Sequence, residues 1–237
     1  MTWIIELGGE RFDLQELLRL RSPSNIEVFE EADRFYLRSP EFKSYTEARA
    51  VLDRANEIVN ILNGIAQLEI QNWENIRVAG VAREEPTGTR TQFLFAESIR
   101  GRSRMSGNPT ITRADGSVES TRDNAVEAFA ELAIKDASVT RALRLFGSGT
   151  HDWVNLYRIY EIIESDMGGL SAMINLSWIS KSRVSNFKHT ANSVSAAGDE
   201  ARHGEERTIP PPSPMPLTEA ESFIVHLLKN WLHLKRK

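Results

Sequence analysis

Apolar positions recur with two different periods along this chain, and the change of period divides it. In the first half, Trp3 to Leu7 reads as a short strand that ends at Gly8 and Gly9. Asp13 is placed to cap a short helix carrying Leu14, Leu17 and Leu18. Ile26 and Val28, then Phe35 and Leu37 after a turn over residues 30–33, alternate as the two arms of a hairpin that Pro40 ends. Tyr45, Ala48, Val51, Leu52, Ala55, Ile58, Val59, Leu62 and Ala66 fall at three-to-four spacing. They predict a long helix with Thr46 near its start, ending near Asn63-Gly64 or fraying a few residues later. Ile76, Val78 and Val81 suggest another strand. A turn at Thr87-Gly88-Thr89 then returns the chain through residues 92–99. Strand, helix, two strands, long helix, two strands is an α+β pattern: a long helix laid on an antiparallel sheet.

The second half carries only the helical period. Helices are expected over residues 124–134, 139–146, 152–164 and 179–192, with glycines at 147, 149, 168 and 169 as breaks. The proline run from Pro210 to Pro216 excludes regular helix. Thr218 and Glu221 have capping-box spacing at the head of a last helix, which should bury Phe223, Ile224, Leu227, Leu228, Trp231 and Leu234. The predicted organisation is an α+β module over 1–105, a polar linker or long loop over 106–120, and a helical domain over 121–237.

Composition narrows the function. Charged residues are 26% and hydrophobic ones 41%, as in ordinary folded proteins, and no apolar run is long enough to span a membrane. The N-terminus lacks the basic and apolar regions of a signal peptide, so a cytoplasmic location is expected. A net charge of -4 means that nucleic-acid binding would need a local basic patch. With no cysteine, thiolate catalysis, disulfides and Cys-ligated metals are excluded. The five histidines show no zinc-binding pairing, and there is no Walker, dinucleotide-binding or nucleophile-elbow motif. No metal and no cofactor is expected.

Four segments carry candidate chemistry. Arg202-His203-Gly204, expected at the end of a helix, puts a titratable imidazole beside a permanent cation, the pair that phosphoryl chemistry uses. The plain structural alternative is a helix C-terminus with Gly204 as its C′ residue. Tyr157, Glu161 and Glu164 share one face of the 152–164 helix, as part of a polar cleft or as a solvated face. Asn186, Lys188, His189 and Asn192 form a third polar cluster on the helix before Arg202. Arg100, Arg102 and Arg104 form a basic run that could track a phosphate backbone or protect a sheet edge.

A helix ending in His-Gly, then a loop and an amphipathic last helix, resembles the C-terminal half of HEPN domains. The resemblance covers about residues 121–237. HEPN domains are all-α bundles, usually dimeric, and many are metal-independent ribonucleases with an Arg-x(4–6)-His motif. His203 matches the family histidine. The matching arginine positions hold Ala196, Ala197 and Gly198, and the Arg183 to His189 pair lies too far ahead. The resemblance implies an RNA-directed protein of a bacterial toxin or phage-defence system, possible endoribonuclease activity with Arg202 or Lys188 as the cation, and a homodimer or a cognate protein partner. The other reading is a non-enzymatic interaction or dimerisation subunit with a degenerate bundle.

Overall fold

A computed structural model describes residues 2–19, 25–93, 95, 121–206 and 209–236. Arg100, Arg102, Arg104 and the predicted linker at 106–120 lie outside the described residues.

The fold is α+β. The strands are β1 (Thr2–Gly8), β2 (Glu27–Glu31), β3 (Arg34–Arg38), β4 (Arg77–Glu84) and β5 (Arg90–Phe93). They make one antiparallel sheet in the order β2-β3-β1-β4-β5. The helices are α1 (Arg11–Arg19), α2 (Ala48–Glu69), α3 (Thr121–Lys135), α4 (Ala137–Gly147), α5 (Trp153–Asp166), α6 (Leu170–Asn175), α7 (Lys181–Asn192), α8 (Val194–Ala197) and α9 (Leu217–Lys235). Two compact units share these elements. One comprises Met1–Ala55 and Ile76–Glu127, the other Asn56–Asn75 and Ala128–Lys237. The sequence reading gave all of α2 to the first module. The units instead divide it after Ala55: its later turns meet α4, through the Glu57–Arg144 pair and a backbone crossing at Gly64 and Gly147.

In the first unit, period-two alternation places Trp3, Ile5, Leu7, Phe35, Leu37 and Val81 on one face of the sheet, all buried. α1 covers this face: Leu14 and Leu17 are buried, and Arg11 lies over the Phe35 ring. Asp13 is not the cap expected of it, since it sits inside α1 and is itself buried. Across the sheet, Ile4, Tyr36 and Ala82 form a second small core with Phe29 against it. Arg90 on β5 lies over the Tyr36 ring and pairs with Glu31 on β2 at 2.5 Å. Side chains from the two edge strands therefore meet, which requires the sheet to coil around this second face. The β2–β3 turn uses Ala32 and Asp33 at φ of 49° and 60°, the left-handed pair that a two-residue hairpin loop demands.

In the second unit α2 does not stop at Gly64. It runs on to Glu69, because Gly64 is a crossing point and not a terminus. A methyl group on Gly64 would overlap the Leu143 carbonyl, and one on Gly147 would overlap the Asn60 carbonyl and the Gly64 nitrogen. The α2 and α4 backbones thus touch with no side chain between them. The glycine that ends α4 also receives the Asn75 side chain on its carbonyl oxygen at 3.1 Å. α9 is the centre of the bundle. Phe223, Ile224, Leu227, Leu228 and Trp231 are fully buried, whereas Leu234 is 38% exposed and does not join them. Its N-cap is Pro216, not Thr218, and Glu221 does not close a capping box. Its carboxylate instead meets His151.

Candidate functional site

The site is built on α5. Asp152 caps this helix by accepting from the Asn155 N–H at 2.7 Å. The helix then presents a stripe of Trp153, Leu156, Tyr157, Tyr160 and Ile163 to the core. Tyr157 was expected on the polar face, but its ring is buried and stacked on Phe187 at 5.8 Å. Phe187, wholly buried on α7, also meets Trp153, Tyr160 and Phe223. The aromatic cluster fixes α5, α7 and α9 together, and polar groups are arranged along its rim.

Two cation–ring–carboxylate sets lie one helical turn apart on that rim. In the first, the Arg202 guanidinium sits 4.1 Å over Tyr157 and donates to Glu161 at 3.0 Å. In the second, Lys188 Nζ lies 4.7 Å from the centre of the Tyr160 ring and donates to both oxygens of Glu164, at 3.0 and 3.1 Å. The Tyr160 hydroxyl also donates to Glu164, at 2.7 Å. Burial, with the hydrogen bond to Glu164 and its charge, pushes the Tyr160 phenol well above its ordinary range. Tyr160 therefore keeps its proton and stays a neutral donor in the neutral pH range.

The segment bearing Arg202 differs from the expected helix end. α7 ends at Asn192, α8 is four residues long, and a 3-10 turn covers Gly198–Glu200. Residues 201–205 follow as bends. Gly198, at φ 64°, makes the reversal that had been assigned to Gly204, so Gly204 is not a helix C′ residue. The Arg202 N–H donates to the Ala191 carbonyl at 2.8 Å, which lays this segment against the end of α7. His203 is half-buried and immediately follows Arg202.

The structure thus brings Tyr157, Glu161 and Arg202 together, with His203 next to them in the chain. It places Lys188 in the neighbouring set. His189 is exposed near the end of α7 and enters neither set. Asn192 bonds the Lys188 carbonyl through Nδ2 at 2.8 Å, and its Oδ1 is buried without a donor among the described residues.

His151 did not stand out in the sequence. It stacks on Phe146 at 4.5 Å, and its two ring nitrogens meet the Glu221 carboxylate at 2.7 Å and the Phe146 carbonyl at 2.8 Å. It joins α4 to α9, and no motif spacing could reveal that, since its partner lies 70 positions away.

An imidazole, a guanidinium and a carboxylate can carry out proton transfer and bind an anion without a metal. Among the described residues, no group of three or more His, Asp or Glu side chains is placed to hold a metal ion. No helix among them is long and apolar enough to cross a membrane. Comparison with protein-family models, with curated proteins and with solved structures gives no match for this chain.

Proposed function

We propose that the helical unit acts on RNA as a metal-independent endoribonuclease, in the manner of the HEPN domains that its C-terminal sequence resembles. The observation that carries this reading is the seating of Arg202 between Tyr157 and Glu161, with His203 as the next residue. The groups divide into roles by their chemistry. Glu161, 46% exposed at its side chain, accepts the proton of a ribose 2′-hydroxyl. That oxygen attacks the adjacent phosphorus, and Arg202 balances charge on the non-bridging oxygens. His203 in its protonated form donates to the departing 5′-oxygen. One P–O bond forms and one breaks, leaving a 2′,3′-cyclic phosphate and a free 5′-hydroxyl. The nucleophile is the group that DNA lacks, which makes RNA the substrate class. A role in toxin or phage-defence systems follows from the resemblance.

Cleavage should persist in EDTA, and His203→Ala should lower it about 10²–10⁴-fold, as loss of a general acid does. A substrate with a 2′-deoxy sugar at the cleaved position should be inert. Equal cleavage by wild type and His203→Ala would refute the assignment.

One observation favours the second reading, a non-enzymatic interaction subunit. Arg202 and Lys188 are each already paired with a carboxylate, so the rim carries little net positive charge. That reading expects no cleavage of any RNA by the wild type. It also expects self-association, or association with a cognate protein, that His203→Ala leaves unchanged.

A further inference from the structure

Arg158 stands on α5 beside the Arg202 set and belongs to neither of the rim's cation–carboxylate pairs. Around this helix, at about 3.6 residues per turn, Tyr160 and Glu164 come first, Tyr157 and Glu161 next, and Arg158 after them. The cations therefore cross the α5 surface in the order Lys188, Arg202, Arg158, with the proposed reaction centre in the middle. Arg158 and Glu161 are three positions apart, the spacing at which helix side chains are neighbours. The Glu161 carboxylate, however, is engaged by Arg202. The other places three or four positions from Arg158 hold Val154, Asn155 and Ile162, none of them acidic. Arg158 is exposed, and among the described residues its one polar contact is with Asn155 Oδ1, at 3.5 Å. Arg202 and Lys188 are each seated on a ring and paired with a carboxylate. Arg158 instead offers a guanidinium fork with most of its N–H groups unused, the group that takes a phosphate through two parallel hydrogen bonds.

We infer that Arg158 binds a phosphate that flanks the cleaved one, so that the substrate is an RNA strand carrying more than the reacting phosphate. The flanking position rests on the ribonuclease reading above; the phosphate contact itself does not. A strand has a phosphate at every linkage, so with one at Arg202 the next ones lie on the surface to either side. On one side the strand meets Lys188, which both Glu164 oxygens already hold. On the other it meets Arg158. The flanking phosphate does not react, so the contact is equally strong in the bound substrate and in the transition state.

The test compares the full chain with Arg158→Gln, which removes the charge and keeps a good helix former, and Arg158→Lys, which keeps the charge and loses the fork. Binding is measured against a short single-stranded 2′-O-methyl RNA, which has the phosphates and lacks the nucleophile. The slope of log affinity against log salt should be shallower by about 0.7 in Arg158→Gln, the loss of one phosphate contact on a single strand, and near wild type in Arg158→Lys. Affinity of Arg158→Gln at low salt should fall about 3- to 10-fold. In RNA cleavage KM should rise by a like factor while kcat holds. A strand with one cleavable ribose then locates the contact, by carrying an uncharged methylphosphonate at the linkage on one side of the cleaved one or the other. At one of these two linkages the replacement should lower kcat/KM of the wild type about 3- to 10-fold and leave Arg158→Gln no slower than it already is. Equal salt slopes in wild type and Arg158→Gln, or a wild type that binds no strand, overturn the phosphate contact. A shallower slope with losses that simply add at both linkages overturns the flanking position. So does a fall in kcat with KM unchanged, since Arg158 would then act on the reacting phosphate. A wild type that binds the 2′-O-methyl strand and cleaves no RNA sinks the ribonuclease reading and the flanking position with it, while the salt slope still decides the contact.

Discussion

One carboxylate, that of Asp136, ties three elements together. Its Oδ1 caps α4 by accepting from the Ser138 and Val139 N–H groups at 2.9 and 3.1 Å. Its Oδ2 takes Lys235 of α9 at 2.5 Å, and Lys235 reaches on to Asp166 at the end of α5 while lying over Trp231. Burial opposes the charged carboxylate. The hydrogen bond from Lys235, the two backbone donors and the lysine charge outweigh it and hold the Asp136 carboxyl below its ordinary range. A carboxyl lowered on folding stabilises the fold fully above its unfolded pKa of about 3.9, and that contribution is lost as pH falls through the lower folded value. Asp136→Asn keeps a cap acceptor and loses the charge. Wild type should exceed it by about 1 kcal/mol at pH 6, and the gap should close as pH falls below about 4 and through the lowered folded value. A gap that does not vary with pH would show that the cap alone matters. At this scale the sequence was legible in type and not in place. The side chains of Arg202, Glu161 and Tyr157, drawn from segments 41 or more positions apart, meet in the fold. The Arg202-His203-Gly204 string was misassigned to a helix end because cations and glycine gather at such ends for reasons that bends share.

Elements were legible where one face is buried, because burial writes its period directly into the sequence. Trp3, Ile5 and Leu7, or Phe35 and Leu37, alternate for that reason. Leu227, Leu228 and Trp231 mark the inner face of α9 in the same way. Trp231 is wholly buried, and its indole N–H donates to Asp166 at 2.8 Å. Trp231→Ala should cost about 3–5 kcal/mol in chemical denaturation, as loss of a large core aromatic does. An unchanged midpoint would contradict the packing. The crossing of α2 and α4 was not legible. A glycine after asparagine in a helical run has the same chemistry whether it stops the helix or lets a neighbour approach, and only the partner decides. Gly147→Ala would drive a methyl group into the Asn60 carbonyl, so the helices must part. A loss of about 1–3 kcal/mol is expected, the usual cost of overpacking. A variant as stable as wild type would mean that the helices are not in backbone contact.

Over the whole molecule the two units are interleaved in sequence, since Asn56–Asn75 belongs with Ala128–Lys237. The switch from alternating to helical periodicity marks where strands give way to helices, but periodicity says nothing about which unit a helix joins. The difference is testable with a fragment. Residues 121–237 alone leave α4 without the α2 turns that Gly147 touches, and leave Arg144 without its Glu57 partner at 2.7 Å. By circular dichroism this fragment should melt without a cooperative transition, or well below the full chain. Adding back residues 56–75 should restore part of the transition. A fragment as stable as the full chain would show that those turns are dispensable to the helical unit.

The bare crossing of α2 and α4 also constrains how the sequence can change. An oversized side chain in a core can usually be tolerated if a neighbouring side chain becomes smaller. Here the atoms in the way are the carbonyls of Asn60 and Leu143 and the nitrogen of Gly64, which every amino acid carries. No substitution at those positions removes them. A selection for second-site suppressors of Gly147→Ala should therefore return reversion to glycine and generally stabilising changes elsewhere, but no local compensating partner. The pair at 64 and 147 can drift only together with the path of the backbone itself.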